Sequence, residues 1–104
     1  MTIPKKLDIL GVEYQIKQIR CVSRFDARKG EIDYLTHTVT IDEELPEDAK
    51  EETLLHEVIH AILERLGLDD NENNEQVVSG LAAVLHATLR PFGYSSKGAK
   101  NGVR

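Results

Sequence analysis

Hydrophobic and polar positions alternate in the N-terminal half of the chain, which is the pattern of half-buried β-strands. The first alternation is interrupted at Gly11, and its apolar positions are Leu7, Ile9, Val12, Tyr14 and Ile16. This pattern predicts a hairpin that turns near Gly11. The apolar positions of a second pair of strands are Ile32, Tyr34, Val39 and Ile41. The segment between the two pairs, Arg20 to Gly30, has little periodicity and is predicted to be a loop.

After Pro46 the hydrophobic period becomes helical. Pro46 lies at or near the first helical position, and Glu47 and Asp48 follow in the first turn, where the helix dipole favours carboxylates. The predicted core stripe of this helix is Leu55, Ile59, Ile62 and Leu66. Gly67 followed by Leu68 predicts a left-handed end to the helix.

A second helix should begin within the polar run 69–75 and end at Pro91. Its predicted core stripe is Val78, Leu81, Leu85 and Leu89. Since 104 residues suit one domain, we predict a single domain over 1–94 and a flexible basic C-terminal tail over 95–104. The predicted fold is α+β, with a short N-terminal antiparallel sheet packed on two main helices.

The distribution of charge narrows the possible partners. The formal net charge is -5, and residues 42–75 hold thirteen of the eighteen acidic residues but only two basic ones, Lys50 and Arg65. Nucleic acid is therefore a poor candidate partner, because no basic stripe is available to meet phosphates. The single cysteine, Cys21, suits a reducing compartment, and the pattern of apolar residues leads us to expect neither a signal peptide nor a membrane span. A cytoplasmic protein is expected.

The stretch His-Glu-Val-Ile-His, residues 56–60, carries the candidate chemistry. His56 and His60 are four residues apart, so on a helix they lie on one face and can chelate one metal ion. Glu57 can reach a water bound to that ion, as in the HExxH signature of zinc peptidases. The alternative interpretation is a partly exposed border of an amphipathic helix. The predicted helical context favours the metal site.

A catalytic zinc needs a third protein ligand, with the fourth position open to water. Glu75 is the favoured candidate, because it lies fifteen residues beyond His60, just past the Gly67 turn, where a helix hairpin could return it to the metal. The competing ligands are Glu72, His86 and, behind them, His37. For His37, a turn position between two strands is the simpler interpretation. Cys21 is a soft ligand in principle but is more often a small buried hydrophobe.

The stretch Asn74 to Gly80, NEQVVSG, resembles the NExxSD element of gluzincin peptidases, in which the glutamate is the third ligand. Ser79 matches that pattern. Gly80 stands where the pattern has aspartate, so another acid or a backbone carbonyl would have to orient the first histidine.

Residues 54–89 as a whole resemble the small zincin-type metallopeptidases of the ImmA/IrrE kind and their phage-encoded relatives. The resemblance implies a minimal zincin-like fold in which a zinc ion is held by His56, His60 and Glu75. It also implies that Glu57 is the general base that activates a zinc-bound water to hydrolyse a peptide bond in a protein or peptide substrate.

A zincin usually aligns an extended substrate beside an edge strand of its sheet, and residues 38–42 are the candidate edge strand here. The oxyanion stabiliser is left open among Tyr34, Tyr94, His86 and Arg90.

Two other function classes compete with a peptidase. The first is a zincin-fold regulator or binding module that holds zinc but has little or no peptidase activity. The second, ranked last, is an acidic interaction protein without metal. The carboxylates of residues 42–48 are the basis for this alternative.

Overall fold

Four strands precede two α-helices and a short 3-10 helix along the chain. The computed structural model describes residues 3–20, 29–68 and 74–92. The strands are β1 (Lys6–Ile9), β2 (Val12–Ile19), β3 (Gly30–Asp33) and β4 (Thr38–Asp42), and the helices are α1 (Glu47–Arg65), α2 (Asn74–Leu89) and the 3-10 helix Arg90–Phe92. The α+β class, with an N-terminal sheet followed by two main helices, is confirmed. The predictions for Cys21, Glu72, Tyr94 and the tail 95–104 lie outside the described residues.

The predicted hairpin at Gly11 is present. Strands β1 and β2 pair antiparallel with Ile9 opposite Val12, so that Leu10 and Gly11 form a two-residue turn. Both turn residues have positive φ, 50° and 88°, as the tightest hairpin turns require. The backbone N–H of Gly11 donates to the Asp8 carboxylate at 2.8 Å, which fixes the turn from one side.

The order of strands in the sheet is β1-β2-β4-β3. Strand β4 runs antiparallel to β3 but parallel to β2, so the sheet is mixed rather than wholly antiparallel. The prediction that residues 38–42 form an edge strand is wrong, because β4 lies between two partners. The edge strand on that side is β3. Alternation along a strand reveals which face is buried but not which strands become its neighbours.

Helix α1 lies between the sheet and α2. In the described part of the chain, α1 contacts β1, β3 and β4, whereas α2 contacts α1 and the 3-10 helix but none of the strands. The sheet therefore packs directly on α1, and α2 packs on the other side of α1. The core of the α1–sheet layer consists of Ile3, Ile9, Tyr14, Ile16, Val39, Ile41, Leu54 and Ala61. The smaller core between the helices consists of Ile59, Val78 and Ala82, with Leu55 and Leu63 packed against it.

Both ends of α1 follow the signals in the sequence. Pro46 precedes the first helical residue, and Glu47 and Asp48 occupy the first turn. At the other end Gly67 has a φ of 74°, and the N–H of Leu68 donates to the carbonyl of Leu63 at 2.7 Å. A hydrogen bond from a residue to the carbonyl five positions earlier is typical of the Schellman motif. It satisfies carbonyl groups at the C-terminus of the helix and turns the chain toward α2.

The buried face of α2 differs from the predicted stripe. Val78, Ala82 and His86 are buried, whereas Leu81 and Leu85 are exposed. Leu66, predicted to belong to the core stripe of α1, is also exposed. Because α2 packs against a single neighbouring helix, it buries a narrow strip, and a small residue such as Ala82 permits close approach there. No helix in the described ranges is long and apolar enough to cross a membrane.

Candidate metal centre

Two histidines one helical turn apart form the base of the candidate site. His56 and His60 both lie on α1, and their ring centroids are 5.0 Å apart with the ring planes inclined by 55°. Residues i and i+4 of a helix lie on the same face, so the close approach of the two rings follows from their spacing. His60 is buried and His56 is half-buried.

Glu75, in the first turn of α2, completes the cluster. Its carboxylate bridges the two rings: one oxygen, Oε2, lies 2.9 Å from His56 Nε2, and the other, Oε1, lies 2.9 Å from His60 Nε2. One donor atom from each of the three residues lies within 4.8 Å of the other two. Three donors on two helices therefore converge on a common point, in the combination of two imidazoles and one carboxylate that zinc accepts.

The protonation of His56 suits a ligand. Burial lowers the pKa of His56 below its ordinary value of 6.5, the neighbouring His60 lowers it further, and the Glu75 carboxylate acts in the opposite direction. Since the net shift is downward from 6.5, the ring is neutral near pH 7. The neutral imidazole is the form that binds metals.

Glu57 lies beside this cluster and is buried. It lines a cleft of about 820 Å³ that also contains the three candidate ligands. The other residues that line the cleft are Lys29, Gly30, Glu31, Ile32, Tyr34, Ala49, Glu52, Thr53 and Ser79. A carboxylate in a cleft beside three candidate metal ligands is placed to exchange a proton with a molecule bound there.

Gly30 is a residue of this site that the sequence reasoning missed. A methyl group at Gly30 would lie 2.6 Å from Thr53 Cγ2, 2.9 Å from the carbonyl oxygen of Thr40, and 3.7 Å from Glu57 Oε2. Glycine thus allows β3 to pass directly over the turn of α1 that carries Glu57. Gly30 was predicted to end the loop that begins at Arg20, whereas the structure places it as the first residue of β3. A glycine next to a predicted strand was the available signal, since glycine in a strand often marks a close backbone approach.

The alternative ligands lie elsewhere or cannot be located. His86 contacts Glu51, and its Nε2 atom lies 3.1 Å from Glu51 Oε1. His37 lies in the β3–β4 turn with a φ of 52°, as the turn interpretation predicted, and its ring faces Tyr14 at 5.2 Å. Glu72 lies outside the described residues.

The three candidate oxyanion stabilisers that lie within the described residues occupy different places in the structure. Tyr34 lines the cleft, and its hydroxyl donates to the backbone carbonyl of His60 at 3.3 Å. His86 contacts Glu51, and Arg90 Nη2 lies 3.7 Å from Asp48 Oδ1, so both are engaged away from the cleft lining. Tyr94 lies outside the described residues.

Gly80, which stands where the gluzincin pattern has aspartate, is exposed, and a methyl group added there would meet no atom within 4 Å beyond the local helix backbone. Ser79, the preceding residue of that pattern, lines the cleft.

Comparison of the chain with family models, curated proteins and solved structures finds no match. The interpretation of the site therefore depends on its own geometry.

Proposed function

We propose that this protein is a zinc-dependent metallopeptidase, with zinc held by His56, His60 and Glu75 and with Glu57 as the general base. The observation that carries the proposal is the convergence of two imidazole nitrogens on one carboxylate, each at 2.9 Å, beside a cleft that Glu57 lines. Three protein donors favour a catalytic rather than a structural zinc site, because structural sites are usually closed by four.

The proposed chemistry divides between the ion and the chain. Zinc, when bound, supplies the Lewis acidity that activates water and polarises a peptide carbonyl. Glu57 accepts the proton that the attacking water loses and later returns it to the leaving amine. The burial of Glu57 supports this role, because its carboxylate is held in the wall of the cleft rather than extended into solvent.

The same cleft suggests how a substrate would lie. Strand β3 pairs with β4 along one edge, and its residues Gly30, Glu31 and Ile32 line the cleft. A protein or peptide substrate in an extended conformation can add to such a strand through backbone hydrogen bonds. We therefore assign substrate alignment to β3 in place of residues 38–42.

We also propose that the protein is cytoplasmic, because its single cysteine, Cys21, suits a reducing compartment.

The test begins with the metal. Elemental analysis of the purified protein should give one zinc per chain, and calorimetry should show tight binding to the metal-free protein. Glu57→Gln should keep the zinc and the fold but lose hydrolysis of a peptide library by roughly a hundred-fold to ten thousand-fold, because the amide cannot accept a proton.

Glu52→Gln is the matched control for that variant. Glu52 lines the same cleft on the same helix, so its substitution removes the same charge without removing the proposed base. Equal activity of wild type and Glu57→Gln would refute the assignment of the base. A zinc-loaded wild type that cleaves nothing across a broad library would instead favour the zinc-holding regulator or binding module.

A further inference from the structure

A second polar contact between α1 and α2 lies away from the candidate metal centre. Glu51 on α1 and His86 on α2 are 1% and 6% exposed, and His86 Nε2 lies 3.1 Å from Glu51 Oε1. Nearby, Arg90 Nη2 lies 3.7 Å from Asp48 Oδ1 at the partly exposed margin of the same contact. A buried carboxylate is costly unless it is paired, so the Glu51–His86 contact constrains where α2 can lie.

The two polar contacts are well separated along the helices. Glu51 precedes His56 by five residues, or about 7.5 Å of helix, and His86 follows Glu75 by eleven residues, or about 16 Å. The contact between them is apolar, with Val78 and Ala82 packed against Ile59. Apolar packing is non-directional and by itself fixes the rotation and the axial position of a helix weakly.

Glu75 depends on that position more than the histidines do. Its side chain is 59% exposed, whereas those of His56 and His60 are 20% and 11% exposed. The packing around Glu75 therefore provides little restraint, and its approach to the histidines is set by where α2 lies on α1.

We infer that the Glu51–His86 contact is a clasp that sets the axial position and rotation of α2 so that Glu75 meets the histidine pair. A slip of α2 by one turn, about 5.4 Å, would carry Glu75 away from the histidines and also separate His86 from the buried Glu51 carboxylate. The clasp disfavours such a slip, because the carboxylate would remain buried without its imidazole. The inference rests on the proposed function in one respect, namely that Glu75 is a zinc ligand.

The informative variant replaces both members of the clasp by apolar residues. Glu51→Leu/His86→Leu removes the directional contact without leaving a buried charge unpaired, so the stability of the metal-free protein should be retained or increased. Zinc affinity should nevertheless fall by roughly tenfold or more, as it does when residues that orient metal ligands are removed. A purely structural role for the pair predicts no such separation between stability and affinity.

Two further variants serve as references. Glu51→Gln keeps a hydrogen-bonding group opposite His86, so it should retain near-wild-type affinity. Val39→Ala removes two methyl groups from the fully buried centre of the sheet, away from α2, so it should lower stability without lowering zinc affinity in the folded protein. If the double leucine variant does not fold, Glu51→Gln/His86→Asn tests the same point, because the shorter asparagine side chain cannot maintain the contact and the glutamine leaves no buried charge.

The last comparison tests whether the clasp acts through Glu75. In a Glu75→Ala background, the two leucine substitutions should cause no further loss of zinc affinity, since there is no third ligand to misplace. Wild-type affinity in the double leucine variant would overturn the clasp and leave the zinc site intact.

The number of metal ions separates the remaining outcomes. Asp48, Glu51 and His86 also bring three donor atoms within 4.8 Å of one another. Two zinc ions per wild-type chain, one of which is lost in the double leucine variant, would make this cluster a second metal site and overturn the clasp. A wild type that binds no zinc would overturn both the clasp and the proposed function.

Discussion

Replacing Gly30 by alanine tests whether β3 must lie as close to α1 as the structure indicates. The new methyl group would lie 2.6 Å from Thr53 Cγ2, whereas ordinary contacts of this kind begin near 3.4 Å. One of the two groups must therefore move by nearly 1 Å. The carbonyl oxygen of Thr40, at 2.9 Å, blocks movement toward β4, and the branched Thr53 side chain has few alternative rotamers on a helix.

The cost can be estimated from this crowding. Adding a methyl group to a well-packed site usually costs about 1–3 kcal/mol, and each 1 kcal/mol lowers the melting temperature of a domain of this size by roughly 4–8 °C. Thermal unfolding of Gly30→Ala followed by circular dichroism should show a loss in that range. The proposed peptidase activity should fall as well, because the movement that relieves the clash with Thr53 would shift the wall of the cleft beside Glu57, whose Oε2 atom lies 3.7 Å from the new methyl position.

Two companion variants make the measurement specific. Gly80→Ala introduces the same methyl group within α2, where no atom beyond the local helix backbone lies within 4 Å, and should stabilise the helix by about 0.5–1 kcal/mol. Gly30→Ala/Thr53→Ser removes the methyl group that would clash most closely, so part of the lost stability should return. If Gly30→Ala melts at the wild-type temperature, β3 does not approach α1 as described and the reasoning about Glu57 fails with it.

Three further predictions test the centre and the helix pair. Glu75→Ala should weaken zinc binding, measured by calorimetry, far more than His86→Ala; the reverse order in folded variants would refute the ligand assignment. Because the pKa of His56 lies below its ordinary 6.5, the unfolded chain binds a proton before the folded chain does as pH falls, so the metal-free protein should lose stability as the pH falls below about 7. His56→Gln should remove that part of the loss, and an unchanged dependence of melting temperature on pH would contradict it. Val78→Ala should lower the melting temperature, whereas Leu81→Gln should leave it nearly unchanged. A larger effect at Leu81 would show that this residue is buried, as the hydrophobic pattern predicted.

The features that the sequence predicted well are local ones. The start of α1 after Pro46, its end before Gly67 and the hairpin at Gly11 depend on residues only a few positions apart. The spacing of His56 and His60 likewise predicted that the rings would meet, because the helix itself supplies the geometry. The predicted return of Glu75 needed one further element, the turn after α1, and the donor atoms of the three residues do converge.

The features that the sequence did not predict depend on contacts between distant segments. Nothing in the alternation of β2 indicates that its neighbour is β4 rather than β3, and the edge strand was misplaced for that reason. On α2, hydrophobicity favoured Leu81, but the close approach to α1 buries Ala82 and His86 instead. Glu51 could not be predicted as buried, because its burial depends on pairing with a histidine 35 residues away.

The order of strands explains how so short a chain forms a cleft beside the histidine pair. The fully buried side chains of β4, Val39 and Ile41, occupy the centre of the sheet against α1, which leaves β3 outside them. Strand β3 then lies beside the first half of α1, where Gly30 allows it to approach Thr53 and Glu57. Had β4 been the outer strand, its β-branched residues at that position would have kept the backbone away from the helix. The misplaced edge strand therefore matters for the proposed function, because it is the interior position of β4 that brings a strand with a glycine next to the proposed base.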